Sequence, residues 1–509
     1  MRSRIRAGLG VVAGGVAVVL LSATASAAPG PGAAGVGDSY YPLAGNGGYD
    51  VAHYDLRLTY EPATDLLSGT TTISATTTQD LSSFNLDFGL KVKWVRVNNA
   101  PAKFTNDPKD NSELVVTPAS PLAKNQPITV VVNYADTPSK VVIDCFTAWT
   151  KMPDGALAVE EPKISRWWYP ANDHPTDKAT FDVSVEVPDN VAAISNGTLV
   201  SKTKNRLGWT RWNWRSTQPQ ATYLTSLEVG AFQINQSTTP EGQPFVTAYD
   251  PTIGASLEAA KASVERTPEV NEFLATAFGP YPFEAQGGVV TPGIDFSLEN
   301  QTRPVYGERF FRSGANTSIV AHENAHMWFG DSVSLGKWSD IWLNEGFATY
   351  AQYLWSEHVG EGTADELAEY TYQSIPADDP FWQVLPADPG PDKQFDNAVY
   401  DRGALTLHAL RKTVGDDKFF EILKTWAATK KGGSAVIPEF IALSETISGK
   451  PLSDLFQTWL YTKGKPSVSA NGPAVRAFTA RSATGALVQP KSYLQIKATH
   501  ELLAGSHAH

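Results

Sequence analysis

Cysteine is almost missing from this chain of 509 residues. The single thiol, Cys145, allows no internal disulfide, and it excludes every zinc or iron–sulfur site built on several thiolates. A metal, if one is held, must sit on histidine and carboxylate. Positive charge is in deficit: 41 Lys and Arg stand against 53 Asp and Glu, a net charge of −12 with a pI near 5.3. That balance excludes a generic binder of nucleic acid or anionic membrane. Past the first 27 residues there is no long apolar run, so no stable membrane anchor is expected. What is present fits a folded protein. Apolar residues make up 42% and charged residues 18%, ordinary for a globular chain. Fourteen Trp, 18 Tyr and 22 Phe supply bulk for large cores, and 40 Gly with 34 Pro supply turns for a β-rich portion.

Met1 to Ala27 reads as a secretory signal peptide. Arg2, Arg4 and Arg6 precede an apolar run from Gly8 to Leu21, and Ala25-Ser26-Ala27 is an A-x-A cleavage signal. The run is about 14 residues, short of the ~20 a membrane span needs. Cleavage near Ala27 would leave a secreted chain whose charge moves from −12 to −15. Cys145, in Val141-Val142-Ile143-Asp144-Cys145-Phe146, is expected to be a buried strand residue.

Period and punctuation divide the rest. Residues 28–46 are rich in Gly, Ala and Pro and are expected to form a flexible leader. Residues 47–240 carry β-branched runs such as Ile128–Val132 and Phe181–Val187, separated by Asn98-Asn99, Asn196-Gly197 and prolines, which implies an antiparallel β domain. Residues 241–466 change to a helical period. Helices are expected over Leu257–Phe278, Ser318–Phe329, Leu343–Glu357, Gly403–Thr413, Lys418–Ala428, Pro438–Ser448 and Leu452–Leu460. Residues 467–509 read as a short tail with strand-like scraps and a polar end.

Chemistry concentrates in two of those helices. His322-Glu323-Asn324-Ala325-His326 is an HExxH motif. Residues i and i+4 share a helix face, so both imidazoles can reach one ion, and Glu323 lies beside them to take a proton from water. With 18 residues between it and His326, Glu345 opens a second apolar helix within Trp342-Leu343-Asn344-Glu345-Gly346-Phe347-Ala348. Two His and one Glu leave the fourth zinc position open, the arrangement of a catalytic site.

HExxH, an 18-residue gap and WLNEGFA resemble the aminopeptidase N family of gluzincin metallopeptidases, which also includes leukotriene hydrolase. The resemblance covers roughly Tyr49 to Pro466. It implies a β-sandwich or saddle domain followed by a mostly α, thermolysin-like catalytic domain, with one Zn²⁺ on His322, His326 and Glu345. Only 43 residues follow Pro466, so the long helical C-terminal domain of the larger members is expected to be absent. The family's G-x-M-E-N segment is matched by Phe296-Ser297-Leu298-Glu299-Asn300, with Phe296 in place of Gly and Leu298 in place of Met. There the resemblance makes Glu299 a ligand of the substrate's α-amine and lets Ser297, Leu298 and Asn300 line the cleft. A second amine-binding acid is implied at Glu161, in Glu161-Pro162-Lys163-Ile164-Ser165-Arg166 and on to Pro170, Asp173 and Pro175, with Glu160 as the competing assignment. His174 replaces a usual Glu and is expected to be structural. Tyr400, in Val399-Tyr400-Asp401-Arg402-Gly403, matches the family's oxyanion-stabilising Tyr, with Arg402 where Lys is usual.

These residues imply a secreted, monomeric zinc aminopeptidase acting on peptides with a free N-terminus, with Glu323 as general base and Tyr400 on the oxyanion. A thermolysin-like endopeptidase, an epoxide hydrolase and a non-catalytic binding module are the alternatives. The last has no use for Glu323 or Tyr400.

Overall fold

The computed structural model describes residues 28–106, 112–472 and 488–506. The signal-peptide segment, and His507 and His509 at the C-terminus, lie outside the described residues. The N-terminal half is dominated by an 11-stranded sheet. Its centre pairs Tyr49–Glu61 antiparallel with Leu66–Thr77 and parallel with Ala179–Pro188, which continues antiparallel to Trp209–Gln220. Alternation produces its inner face: Tyr54, Leu56, Leu58 and Tyr60 are fully buried while Arg57 between them faces out. A four-stranded sheet (Trp149–Lys151, Ala156–Ala158, Ala192–Ile194, Leu227–Gly230) completes this β-rich half. The mostly-β domain followed by a helical catalytic domain is as the sequence implies.

The second half is built on a five-stranded sheet of order 233–238, 244–249, 286–291, 305–307 and 297–298. Gln233–Thr238 pairs antiparallel with Pro244–Tyr249, so this sheet starts before residue 240, the boundary expected from sequence. One face of the sheet contributes Val246, Ala248, Val289 and Val305 to the β-domain core. Tyr249, Val290 and Tyr306 point into the helical core. Ten helices follow among the described residues: α1 (Leu257–Val264), α2 (Thr267–Phe278), α3 (Thr317–Ala325), α4 (Trp342–His358), α5 (Ala364–Ser374), α6 (Asn397–Val414), α7 (Asp416–Thr429), α8 (Ile437–Ser448), α9 (Ser453–Leu460) and α10 (Tyr493–Ser506). No helix among them is long and apolar enough to cross a membrane.

Several expectations need correction. The helix anticipated over 257–278 is two, because Pro268 starts a new helix and cannot continue the old one. Helix α5 was not anticipated, although Thr363 and Glu366 form a capping box at its start. Cys145 is exposed, not buried: Asp144 and Cys145 take positive φ (51° and 71°) in a tight turn bridged by Ile143 and Phe146. The leader is held in place. Gly30–Pro31 pairs with Leu81–Asp87. Asp38 accepts from the Trp338 N–H at 2.8 Å and lies 3.4 Å from His174 Nε2, while the Tyr41 hydroxyl donates to Gln394 at 2.7 Å. Among the described residues the C-terminal segment is helical, not strand-like. Helix α10 buries Ile496, His500 and Leu503.

Candidate metal centre and active site

Asn316 caps α3, its side-chain oxygen accepting from the Ile319 N–H. The helix then carries His322 and Glu323 inward and ends as His326 completes the i, i+4 pair. Its apolar positions leave no polar face; every residue from Ser318 to Ala325 is buried. Helix α4 returns alongside, with Glu345 in its first turn. Glu345 Oε2 lies 3.2 Å from His322 Nε2 and 3.5 Å from His326 Nε2. The three side chains offer ligand atoms within 4.8 Å of one another.

The donor set fits a zinc ion. His322 Nδ1 lies 3.2 Å from Gln352 Oε1, and His326 Nδ1 lies 3.0 Å from the Phe329 carbonyl. Both Nδ1 atoms thus face acceptors, which places their protons there and leaves both Nε2 lone pairs for a metal. Burial opposes charge on both imidazoles. It prevails at His322, which is pushed down to about 4. At His326 the carboxylates of Glu345, Glu299 and Glu323 overcome it and favour positive charge well above the ordinary range. Burial would raise Glu345, yet His326 and His322 hold its carboxyl well below the usual range, as a metal ligand requires. A cation is what this cluster of acids stabilises.

Glu323 is buried and its Oε1 has no hydrogen-bond partner among the described residues. Burial, with Glu299 and Glu345 adding, raises its carboxyl well above 4.5 despite His326. Glu299 groups with Glu323 and His326 within the same 4.8 Å. Its Oε1 accepts from the Tyr223 hydroxyl at 3.0 Å. Tyr223 went unnoticed in the sequence, since it lies in a single 3₁₀ turn, Thr222–Leu224, with no motif around it. Glu161 is buried, its Oε2 has no partner among the described residues, and burial followed by the charge of Glu299 raises its carboxyl. Glu160 is buried as well, but its oxygen accepts from the Glu161 N–H at 3.0 Å.

Ser297 and Leu298 form the last strand of the five-stranded sheet, pairing with Tyr306 and Val305 on one side only. The Ser297 hydroxyl and Asn300 Oδ1 are buried without partners among the described residues, while Asn300 Nδ2 donates to the Leu224 carbonyl at 3.2 Å. Phe296 is buried and its carbonyl accepts from the Gly307 N–H at 2.9 Å. Tyr400, near the start of α6, stacks on His322 with ring centroids 6.0 Å apart. Burial first, then Glu345, Glu161, Glu323 and Glu299, keeps its hydroxyl protonated. Arg402 is an anchor: its guanidinium donates to the carbonyls of Trp459, Trp382, Val384, Thr458 and Thr462. It ties α6 to the end of α9 through three main-chain acceptors and to the 382–384 segment through two.

Residues 51–224 match the model of the peptidase M1 N-terminal domain, and residues 309–459 match that of the peptidase family M1 domain. A solved M1 zinc metallopeptidase from Deinococcus radiodurans is 30% identical, with a TM-score of 0.75 over 84% of this chain and 97% of that one. The chain belongs to peptidase family M1. A mutant M1 zinc metallopeptidase from Deinococcus radiodurans bound to a Tyr-Ser-Ala substrate is 29% identical and covers 85% of this chain and 99% of its own, with a TM-score of 0.75. Among M1 relatives, rice aminopeptidase M1-D is 28% identical over 338 residues, 62% of this chain and 38% of the relative. Rat glutamyl aminopeptidase is 26% identical over 337 residues, 62% of this chain and 35% of its own. The chain thus spans little more than a third of these longer M1 relatives.

Proposed function

We propose that this protein is a secreted, monomeric zinc aminopeptidase that removes the first residue from peptides with a free α-amine. One observation carries the reading: the candidate metal ligands and two further buried acids, Glu161 and Glu299, lie close enough to feel one another's charge. The triad alone fits any zinc peptidase. Paired acids beside it give an α-ammonium a place to bind, and that fixes the scissile bond one residue from the terminus.

His322, His326 and Glu345 would hold Zn²⁺, which when bound supplies Lewis acidity at the scissile carbonyl. Glu323, its carboxyl raised by burial, takes a proton from the attacking water and passes it to the leaving amine. Tyr400 keeps its proton and donates a hydrogen bond to the developing oxyanion. The free edge of Ser297–Leu298 pairs with the substrate backbone as an added strand. Residues 1–27 direct export and are removed near Ala27.

Hydrolysis of an aminoacyl anilide, set against its N-acetylated form, tests the reading. The free-amine substrate should be cleaved in a chelator-sensitive manner and the acetylated one left intact. Cleavage inside a blocked peptide would instead make the protein an endopeptidase.

A further inference from the structure

The middle of helix α10 carries a side chain that the proposed chemistry does not use. His500 is 1% exposed, although nothing in its local sequence marks it for the interior. Its Nε2 lies 2.7 Å from Gln352 Oε1, the same oxygen that faces His322 Nδ1 at 3.2 Å. Its Nδ1 lies 2.9 Å from Asp401 Oδ1. The Gln352 amide nitrogen donates to the Ser318 hydroxyl at 2.9 Å, so the amide is oriented with its oxygen toward both histidines. Four side chains from α3, α4, α6 and α10 therefore form one line, His322, Gln352, His500 and Asp401, buried up to the partly exposed Asp401 at its end. The His500 ring also stacks on Tyr400, centroids 5.7 Å apart at 29°, and Tyr400 in turn stacks on His322.

We propose that His500 is a positioning residue for the metal centre, holding the Gln352 oxygen against His322 Nδ1 while its ring backs Tyr400. The inference rests on the aminopeptidase reading for Tyr400 but needs only the metal triad for His322. A long amide side chain is free about three torsions. With Ser318 alone to hold it, its oxygen could turn from the ligand, and His322 would lose the acceptor that fixes its tautomer and ring plane. Helix α10 is itself well seated. Gln495 Nε2 donates to the Ala315 carbonyl at 3.0 Å, the Ser356 and Ser492 hydroxyls lie 2.6 Å apart, and Tyr493 OH lies 2.9 Å from the Ser374 hydroxyl. The segment after Pro466 thereby reaches back to the catalytic centre from outside the 309–459 family match.

The experiment compares full-length His500→Ala, His500→Gln and Leu503→Ala. Leu503 is buried on the same helix but takes no part in the hydrogen-bonded line. Zinc affinity is read by competition with a chromogenic chelator, and kcat and KM are read on an aminoacyl anilide. His500→Ala should weaken zinc binding by about 10–100-fold and lower kcat with KM within about twofold, the range for loss of a group that orients a metal ligand. His500→Gln keeps a donor near the Nε2 position and should restore most of the zinc affinity. Leu503→Ala should lower the melting temperature and leave zinc affinity unchanged. Wild-type zinc affinity in His500→Ala, or equal weakening in all three variants, overturns the proposal. Should His500→Ala fail to fold, Asp401→Asn reads the same line and should weaken zinc binding in the same direction; unchanged affinity there also overturns it. A wild-type chain that binds zinc but cleaves no anilide would refute the peptidase reading while the zinc arm still decides this one.

Discussion

Gly346 on α4 and Gly403 on α6 meet backbone to backbone. A Cβ placed on Gly403 would lie 2.9 Å from the Gly346 Cα, and one on Gly346 would lie 3.1 Å from the Gly403 Cα. Any larger residue holds the helices apart. The close crossing brings Glu345, one residue from it, and Tyr400, three residues from it, within reach of each other's charge. Gly403→Val should therefore destabilise the fold by about 1–3 kcal/mol, as overpacking does, and lower kcat by displacing Tyr400. Gly403→Ala is the discriminating case. In a helix with room, Ala gains roughly 0.5–1 kcal/mol over Gly. Urea unfolding that shows such a gain would mean the crossing tolerates a methyl and does not set the geometry.

Glu323 has a buried oxygen free of partners in the described residues and a raised carboxyl. Glu323→Gln keeps the shape and removes the proposed base. It should lower kcat by roughly 10²–10⁴-fold with zinc content intact. Metal analysis beside the kinetics separates this from loss of the site, and a variant retaining more than a tenth of wild-type kcat would remove Glu323 from the role of base.

Glu299 and Glu161 should act mainly on substrate recognition. Charge-assisted hydrogen bonds contribute about 1.5–3 kcal/mol each, so Glu299→Gln and Glu161→Gln should each lower kcat/KM on an aminoacyl anilide by roughly 10–150-fold. Both should also narrow the preference for free over acetylated substrate. Unchanged discrimination in both variants would mean that the two acids do not read the amine.

Asp38 gives a pH dependence of stability. Burial would raise its carboxyl, but His174 and the N–H groups of Trp338, Tyr41 and Tyr40 together hold it at about 2. A carboxyl lowered on folding contributes its stability above the unfolded value of 3.8 and loses it as pH falls toward 2. Asp38→Asn should be less stable than wild type by roughly 1–2 kcal/mol at pH 6, after allowance for solvent screening, and the gap should shrink below pH 4. Denaturant unfolding of both proteins between pH 6 and 3 measures it; a gap constant with pH would assign the loss to packing instead.

What the sequence revealed follows the distance over which each signal acts. His322, Glu323 and His326 lie within one helical turn, so their convergence is readable from spacing. Glu345 needed only one returning helix. Tyr223 and His500 reach the site through tertiary packing from a short 3₁₀ turn and from helix α10, and no local pattern announces either. The leader misled because Gly, Ala and Pro describe a chain without its own secondary structure, whereas Asp38, Tyr40 and Tyr41 are ordered by partners some 300 residues away in Trp338, Asp388 and Gln394. At Cys145 a hydrophobic run promised a strand, but the adjacent Asp144 and Cys145 turn through positive φ.

The five-stranded sheet belongs to two cores at once, Val246 and Val289 facing one and Tyr249 and Val290 the other. Neither half can melt without stripping a face from the wall it shares. Heating should accordingly produce one calorimetric transition with matching van't Hoff and calorimetric enthalpies, so that damage to the β domain silences the catalytic centre at the same temperature at which the helices unravel.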